Sequence, residues 1–141
     1  MKDTLVAGIE HELRFRVAES KTVPALYPES EEFAQMPEVF ATGFMVGLIE
    51  WACIEAIKPH LDWPAEQSLG VHVDLSHTAA TPPGMEVAVR VTVESVEGRR
   101  LRFRIEARDE REVISTGTHD RFVIDVARFQ AGVDRKRDAA G

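Results

Sequence analysis

A single carboxylate interrupts the most apolar stretch of the chain. Glu50 lies in the run FATGFMVGLIEWACIEAI, residues 40–57, and it is the first charge in that run. A carboxylate in apolar surroundings is costly unless it is paired, or else its pKa rises until the group is neutral. Glu50 is therefore predicted either to pair with an arginine or share a narrow polar stripe with Glu55, or to act as a base or nucleophile.

A histidine is predicted to lie at the same interface. Val71, Val73, Leu75 and His77 alternate with polar residues, which is typical of a strand with one apolar face. A lone histidine on such a face is commonly a core residue with its hydrogen bonds satisfied. Beside a helix glutamate, however, an imidazole can serve as general acid, general base or nucleophile. The sequence thus favours a site in which Glu50 and His77 meet.

Thr42 adds a hydroxyl at the predicted start of the helix that carries Glu50. Threonine is a suitable N-cap residue, and the free N–H groups of a helix start can hold a developing oxyanion. Eight residues of α-helix rise about 12 Å, so Thr42 and Glu50 cannot touch on a straight helix. A bend at Gly43, a substrate between the two groups, or a second subunit that supplies one of them are the alternatives.

Other catalytic machinery is not found in the sequence. It contains no GxSxG elbow, no P-loop and no GxGxxG motif. The five histidines lack metal-type spacing, so no metal site is predicted. The single cysteine, Cys53, lies in the apolar run and is predicted to pack in the core. It cannot form an internal disulfide, which favours a reducing, cytoplasmic compartment.

The element that carries Glu50 is predicted to be a buried helix. It opens at Thr42, runs for four to five turns and ends before Pro59. The run is apolar nearly all round, as in helices that are covered on most sides. A strand is predicted before it, from about residue 5 to residue 17. A proline-rich irregular segment over residues 21–38 separates the strand from the helix.

The chain beyond residue 68 has the pattern of antiparallel sheet. Alternating apolar residues predict four strands, at about 71–77, 85–93, 101–107 and 112–126. Glu97-Gly98 indicates a tight hairpin, and Gly117 a bulge or bend. The simplest packing is an α+β hotdog fold, a five-stranded antiparallel sheet wrapped around one central helix. We expect one domain over residues 1–130 and a flexible C-terminal tail over 131–141.

Composition restricts the partners of the protein. With 141 residues and 44% hydrophobic content, the chain can bury one core. A net charge of −7 argues against nucleic acid as the main partner. The longest apolar run, over residues 41–52, is too short to span a bilayer, so no membrane association is predicted. A five-stranded sheet around one helix leaves edge strands and apolar surface, which predicts a homodimer.

Several segments resemble one family of hotdog enzymes, the fluoroacetyl-CoA thioesterases. They are LYPES (26–30), PEVFATGFMVGLIEWAC (37–53), SLG (68–70), HTAATPPG (77–84), SVEGRRL (95–101) and GTHDRFVI (117–124). HTAATPPG is not a generic hotdog signature, so the resemblance is specific, and it covers most of the chain. It implies hydrolysis of a short acyl thioester, with fluoroacetyl-CoA favoured. It implies no cofactor beyond the coenzyme A that is part of the substrate.

The resemblance also implies a catalytic set of Thr42, Glu50 and His77. Glu50 would attack the thioester carbonyl or direct a water onto it. His77 would move protons, and Thr42 would orient the acyl group or a water. Coenzyme A is a good leaving group, and the order of these events is not decided by the sequence.

Four further residues are implied to bind the acyl group. Gly70 and Arg121 match positions tied in the family to recognition of the fluorinated acyl group. Phe33 and Met36 match a hydrophobic lid, and Met36 departs from the aromatic residue that one family member has at the second lid position. Two alternatives remain open: a thioesterase for another small acyl-CoA, and a non-catalytic dimeric module that holds a small ligand.

Overall fold

Five strands form one antiparallel sheet in the computed structural model, which describes residues 1–140. The strands are β1 (Glu10–Arg16), β2 (Glu66–Leu75), β3 (Glu86–Glu97), β4 (Arg100–Arg108) and β5 (Val113–Asp125). Their order across the sheet is β1-β3-β4-β5-β2, and each neighbouring pair is antiparallel. The predicted five-stranded antiparallel sheet is confirmed, with β1 and β2 as its two edges.

One long helix packs against this sheet. The helices are α1 (Val23–Leu26), α2 (Glu31–Ala34), α3 (Thr42–Ile57) and α4 (Val126–Ala140). α3 buries one side on the sheet, where Ile49 and Ala52 have no exposed surface and pack in one cluster with Val89 and Phe103. The predicted central helix and its bounds are confirmed, and with them the hotdog arrangement. No helix within residues 1–140 is long and apolar enough to cross a membrane.

The hairpin between β3 and β4 forms as its sequence predicts. β3 ends at Glu97 and β4 begins at Arg100, and Gly98 adopts a positive φ of 60°. A positive φ strains any residue with a Cβ, which explains glycine at this turn. Buried and exposed residues alternate along the whole of β4, so its apolar side chains all face the core. The first strand begins later than predicted, at Glu10.

The edge strand β2 contains a bulge that the sequence did not reveal. The register with β5 shifts between Gly70 and His72, so Val71 is the extra residue. Val71 and Val73 are 50% and 47% exposed, and the prediction that both line the core is therefore wrong for the single chain. Because a bulge reverses the parity of a strand, alternation cannot be continued through it.

The C-terminal segment is helical where a tail was expected. α4 runs to Ala140, and none of its residues is buried. Asp125 begins it, since its Oδ1 accepts a hydrogen bond from the backbone N–H of Arg128 at 3.0 Å. The aspartate acts as an N-cap for a segment rich in residues that favour helix. Residues 131–140, which were expected to form a flexible tail, are thus helical and exposed, and Gly141 lies outside the described residues.

Candidate active site

A buried arginine on β5 holds the Glu50 carboxylate. Nη1 of Arg121 donates to Oε2 of Glu50 at 2.9 Å. The Arg121 side chain is 2% exposed, whereas that of Glu50 is 38% exposed. Of the alternatives for Glu50, pairing with an arginine is therefore realised. The carboxylate is not sealed in the core of the single chain, so it is both oriented and accessible.

The guanidinium of Arg121 is fixed by several acceptors besides Glu50. Its Nε donates to Oγ of Ser68 and its Nη2 to the carbonyl oxygen of Ser68, both at 2.8 Å. Its Nη1 also lies 3.1 Å from Nε2 of His119. Charge-assisted hydrogen bonds of this kind are strong and directional. They leave the arginine few other positions in which to place Nη1.

Gly70 lies where the backbone passes closest to this pair. It is opposite Arg121 in the register of β2 and β5. A Cβ added at Gly70 would lie 2.9 Å from Oε2 of Glu50 and 3.1 Å from Cε1 of His119. A side chain at this position would therefore displace the carboxylate. The structure brings three of the residues singled out from the sequence, Glu50, Gly70 and Arg121, into one cluster.

A second pair of polar groups lies at the start of α3. Oγ1 of Thr42 and Nδ1 of His77 are 2.8 Å apart. The N-cap of α3 is Ala41, which has no side-chain cap, so the prediction of Thr42 as N-cap is corrected. His77 lies two residues beyond the end of β2, and the prediction that it sits on a strand face is corrected too. The hydroxyl that could cap the helix is instead engaged with the imidazole.

One ring nitrogen of His77 is left without a hydrogen-bond partner among the described residues. This nitrogen, Nε2, is buried. Burial lowers the pKa of His77 below its usual value of 6.5, because the charged imidazolium is poorly solvated there. The ring is therefore neutral at neutral pH. A cleft of about 280 Å³ beside it is walled in part by Val23 and Phe40.

The two clusters are separate within one chain. Among residues 1–140, no hydrogen bond or ion pair joins Glu50 to His77 or to Thr42. α3 continues from Thr42 through Glu50 as a single helix, so about 12 Å of helical rise lies between them. A bend at Gly43 is thereby excluded. The predicted meeting of Glu50 with His77 does not occur within a single chain.

Phe33 and Met36, the two residues expected to form a lid, lie in the segment between β1 and α3. Oγ of Ser30 accepts from the backbone N–H of Phe33 at 3.1 Å and caps α2. The Phe33 ring stacks on Tyr27 with centroids 5.9 Å apart. Met36 is 49% exposed. The segment meets the start of α3 but leaves Met36 largely open to solvent.

Two site residues were missed from the sequence. Ser68 and His119 both hold Arg121, yet neither was singled out for its chemistry. Strand alternation contained the signal for His119, because residues 119 and 121 of one strand point to the same face. No comparable signal marks Ser68. Within the described part of the chain, no group of three or more side chains could hold a metal ion.

Comparison with known proteins gives one consistent result. The model of a family described as fluoroacetyl-CoA-specific thioesterase matches residues 17–127. The fluoroacetyl-CoA thioesterase of Streptantibioticus cattleyicolor is 52% identical over 139 residues, which are 99% of each chain. A solved structure of the fluoroacetyl-CoA thioesterase FlK superimposes with a TM-score of 0.92 at 52% identity, covering 95% of this chain and 98% of that one.

A further solved structure shows what a relative binds. It is a FlK mutant in complex with fluoroacetate and CoA, 54% identical, with a TM-score of 0.85 over 87% of this chain and 98% of that one. The resemblance predicted from short segments is thus confirmed over nearly the whole length. The fold and the matched length agree, and this chain belongs to the fluoroacetyl-CoA-specific thioesterase family.

Proposed function

We propose that this protein is an acyl-CoA thioesterase that hydrolyses fluoroacetyl-CoA to fluoroacetate and coenzyme A. The observation that carries the proposal is the partly exposed Glu50 carboxylate, oriented by a buried arginine in a chain of this family. A thioester carbonyl is attacked readily by a carboxylate or by a water that a carboxylate activates. The relatives whose names report this activity share about half of their residues with this chain.

Each site residue has a task in this reaction. In one route Glu50 attacks the carbonyl carbon, the C–S bond breaks, and a water then hydrolyses the acyl-glutamyl anhydride to the free acid and regenerates the carboxylate. In the other route Glu50 takes a proton from a water that attacks the carbonyl directly as the C–S bond breaks. In both routes the proton that the water loses is delivered to the sulfur, and coenzyme A leaves as the thiol. His77, neutral and with a free Nε2, accepts or returns a proton at the acyl end. Thr42 holds the imidazole through Nδ1 and orients the acyl group. Gly70 and Arg121 border the carboxylate and form the wall against which the α-substituent of the acyl group packs.

Phe33 and Met36 are proposed as the cover of the acyl pocket. Phe33 is held by the capped α2 and by its stack on Tyr27, so it is already ordered in the single chain. Met36 is a flexible apolar side chain that can fold onto a small acyl group.

The protein is further proposed to act as a homodimer. The site is incomplete in one chain, since Glu50 and the Thr42–His77 pair lie apart. Val71 and Val73 are exposed on the edge strand β2, next to the Glu50 cluster. Exposed apolar residues on an unpaired edge are a common mark of an interface.

A two-fold axis near the middle of α3 would complete the site. If two α3 helices run antiparallel and cross near Val46, residue 42 of one lies opposite residue 50 of the other. Val46 and Glu50 share a helix face, one turn apart. Each dimer would then hold two sites, each with Glu50 from one protomer and Thr42 and His77 from its partner.

A cytoplasmic location is proposed on chemical grounds. Cys53 is a free thiol and is buried in the core, which suits a reducing compartment. Fractionation of the native host with an antibody against the protein tests this location, and recovery outside the cytoplasmic fraction would contradict it.

Thiol release tests the proposed activity. Purified protein is mixed with fluoroacetyl-CoA, acetyl-CoA and a small panel of short acyl-CoA esters, and free thiol is followed. Glu50→Gln keeps an oxygen acceptor for Arg121 but removes the carboxylate, so kcat/KM should fall by about 100-fold or more. Glu55→Gln is the matched control on the same helix, because Glu55 pairs with His11 outside the site. Equal activity of the two variants would contradict the role of Glu50.

Mixed dimers test the shared site. Thr42→Val and Glu50→Gln chains carry different affinity tags, and the heterodimer is purified through both. One of its two sites is intact if the groups come from different protomers, so about half of the wild-type rate should return. A site built within one protomer would leave the mixed dimer inactive, and that result would overturn the shared-site arrangement.

A further inference from the structure

His119 occupies the centre of a hydrogen-bonded chain behind the catalytic carboxylate. It is 1% exposed on β5, and its Nε2 lies 3.1 Å from Nη1 of Arg121. Its Nδ1 lies 2.8 Å from the carbonyl oxygen of His72 on β2. No reacting group needs to touch so deeply buried a ring, so its role must be exerted through Arg121.

The partners of His119 fix its protonation. A guanidinium offers only donors, so Nε2 must be the acceptor of the bond from Arg121. Nδ1 must then carry the proton and donate it to the carbonyl of His72. Burial above all, and then the neighbouring Arg121 charge, lower the pKa of His119, which agrees with a neutral ring at neutral pH. Both ring nitrogens are thereby satisfied in one tautomer only.

The chain of contacts spans the bulge in β2. Arg121 is held to Ser68 on one side of Val71, and through His119 to His72 on the other side. Nη1 uses one hydrogen toward His119 and the other toward Glu50. The direction of the bond to Glu50 is therefore set by the position of the His119 ring.

We propose that His119 is a positioning residue that, as the neutral Nδ1–H tautomer, holds the Arg121 guanidinium so that Nη1 orients the Glu50 carboxylate for attack. This inference rests on the proposed function and deepens it. His119 does not touch the substrate. It keeps the carboxylate in place against the backbone of Gly70, where a small displacement is costly for the reaction.

Two substitutions at residue 119 separate acceptor loss from volume loss. His119→Leu fills similar space without an acceptor, and His119→Gln places an amide oxygen near the position of Nε2. Loss of one hydrogen bond to a charged group predicts a fall in kcat of about 10- to 100-fold for His119→Leu, with KM changed less. His119→Gln should recover most of that loss. His60→Leu is the control, because the His60 imidazole bonds to Thr4, away from the cluster.

The energetic coupling between His119 and Arg121 distinguishes a positioning role from a merely structural one. If His119 acts through the guanidinium, His119→Leu should have no further effect in a chain that already carries Arg121→Met. Additive losses, or a His119→Leu enzyme within about threefold of wild-type kcat, would overturn the proposal. Thermal unfolding of each variant shows whether it is folded.

A spectroscopic measurement keeps this inference distinct from the proposed activity. The ¹⁵N shifts of the histidine rings in the wild-type protein should show His119 as neutral with its proton on Nδ1. Detection of the Nε2–H tautomer or a charged ring at pH 7 would refute the positioning role, whatever the activity. Absence of thiol release by the wild type would refute the proposed function and leave the positioning of Arg121 to be decided by the tautomer.

Discussion

Replacing Gly70 by alanine should reduce catalysis without loss of the fold. Gly70 lies on the edge strand β2, opposite Arg121. Its backbone does not lie in the left-handed region, so an alanine fits the strand without strain. The added methyl group would nevertheless lie 2.9 Å from Oε2 of Glu50 and 3.5 Å from Nη1 of Arg121.

The expected magnitude follows from the space available. A carbon atom and its neighbour are comfortable at about 3.5–4.0 Å, so the carboxylate must retreat by about 0.5–1 Å. His119 is 3.1 Å away on the other side and is held by two hydrogen bonds, so it cannot yield. A displacement of this size predicts a fall in kcat/KM of about 10- to 100-fold. The backbone entropy that alanine saves, about 0.5–1 kcal/mol, is offset by the tight contact with the His119 ring, so the free energy of unfolding should change by no more than about 1 kcal/mol.

Thiol release from fluoroacetyl-CoA and thermal unfolding measure the two effects separately. Gly132→Ala is the matched control, because a Cβ there meets only Arg135 Nη2, at 3.6 Å, and lies in α4 away from the site. A Gly70→Ala enzyme with wild-type kcat/KM would refute the close approach to Glu50. A large drop in the unfolding temperature would show that the methyl group disturbs the strand rather than the carboxylate.

Three further outcomes are expected. Gly117→Ala should lower the free energy of unfolding by about 3–5 kcal/mol, because φ is 143° at Gly117 and the added Cβ would lie 2.0 Å from the carbonyl oxygen of Asp74. A urea titration measures this loss, and a loss below about 1 kcal/mol would contradict the close approach of the two strands. Hydrogen bonds from Arg102 and then Arg100 lower the pKa of Asp120 from 3.8 to about 2, so its contribution is present above about pH 4 and is lost as the pH falls through about 2. Asp120→Asn should therefore lower the free energy of unfolding by about 1–2 kcal/mol at pH 7, a value limited by solvent screening because both arginines are half exposed. The substitution should also flatten the dependence of stability on pH between about 4 and 2. Acid unfolding of Asp120→Asn identical to that of the wild type would contradict this. Because burial lowers the pKa of His77 from 6.5, the midpoint of the acidic decline in kcat/KM should lie below pH 6.5, and a midpoint above pH 7 would exclude a neutral His77 as the proton acceptor.

The sequence was sufficient where one physical pattern dominates a segment. The apolar run that ends before Pro59 predicts the single helix found there, with almost its observed bounds. Alternation along β3 and β4 and the glycine at residue 98 predict a hairpin that the structure shows. In these segments the hydrophobic period, turn chemistry and length all favour the same element.

The sequence was insufficient where a strand irregularity, or a contact with a residue distant in the chain, determines the structure. The extra residue Val71 in β2 shifts the register, so residues beyond it face differently from what alternation predicts. His77 lies beyond the end of β2 and is hydrogen-bonded to Thr42, whereas the alternation predicts that it faces the helix from within the strand. An N-cap at Asp125 could have been recognised, and it begins the helix that was expected to be a tail.

The sequence indicates which residues belong to the candidate site better than it indicates how they are arranged. The isolated charge in an apolar helix was enough to single out Glu50, and pairing with an arginine was one of the stated alternatives. Which arginine pairs with it depends on strand order and register, which place Arg121 of β5 opposite Gly70 and within 2.9 Å of Glu50. The support from Ser68 and His119 depends on the same long-range contacts.

The most direct test of the central claim is the ratio of kcat/KM for fluoroacetyl-CoA to that for acetyl-CoA, measured by thiol release with the wild-type protein and with Glu50→Gln. A thioesterase of this family should release thiol from the fluorinated ester with clear preference, and the substitution should abolish that release while the fold is kept. Background rates with both esters, or a Glu50→Gln enzyme as active as the wild type, would contradict the account.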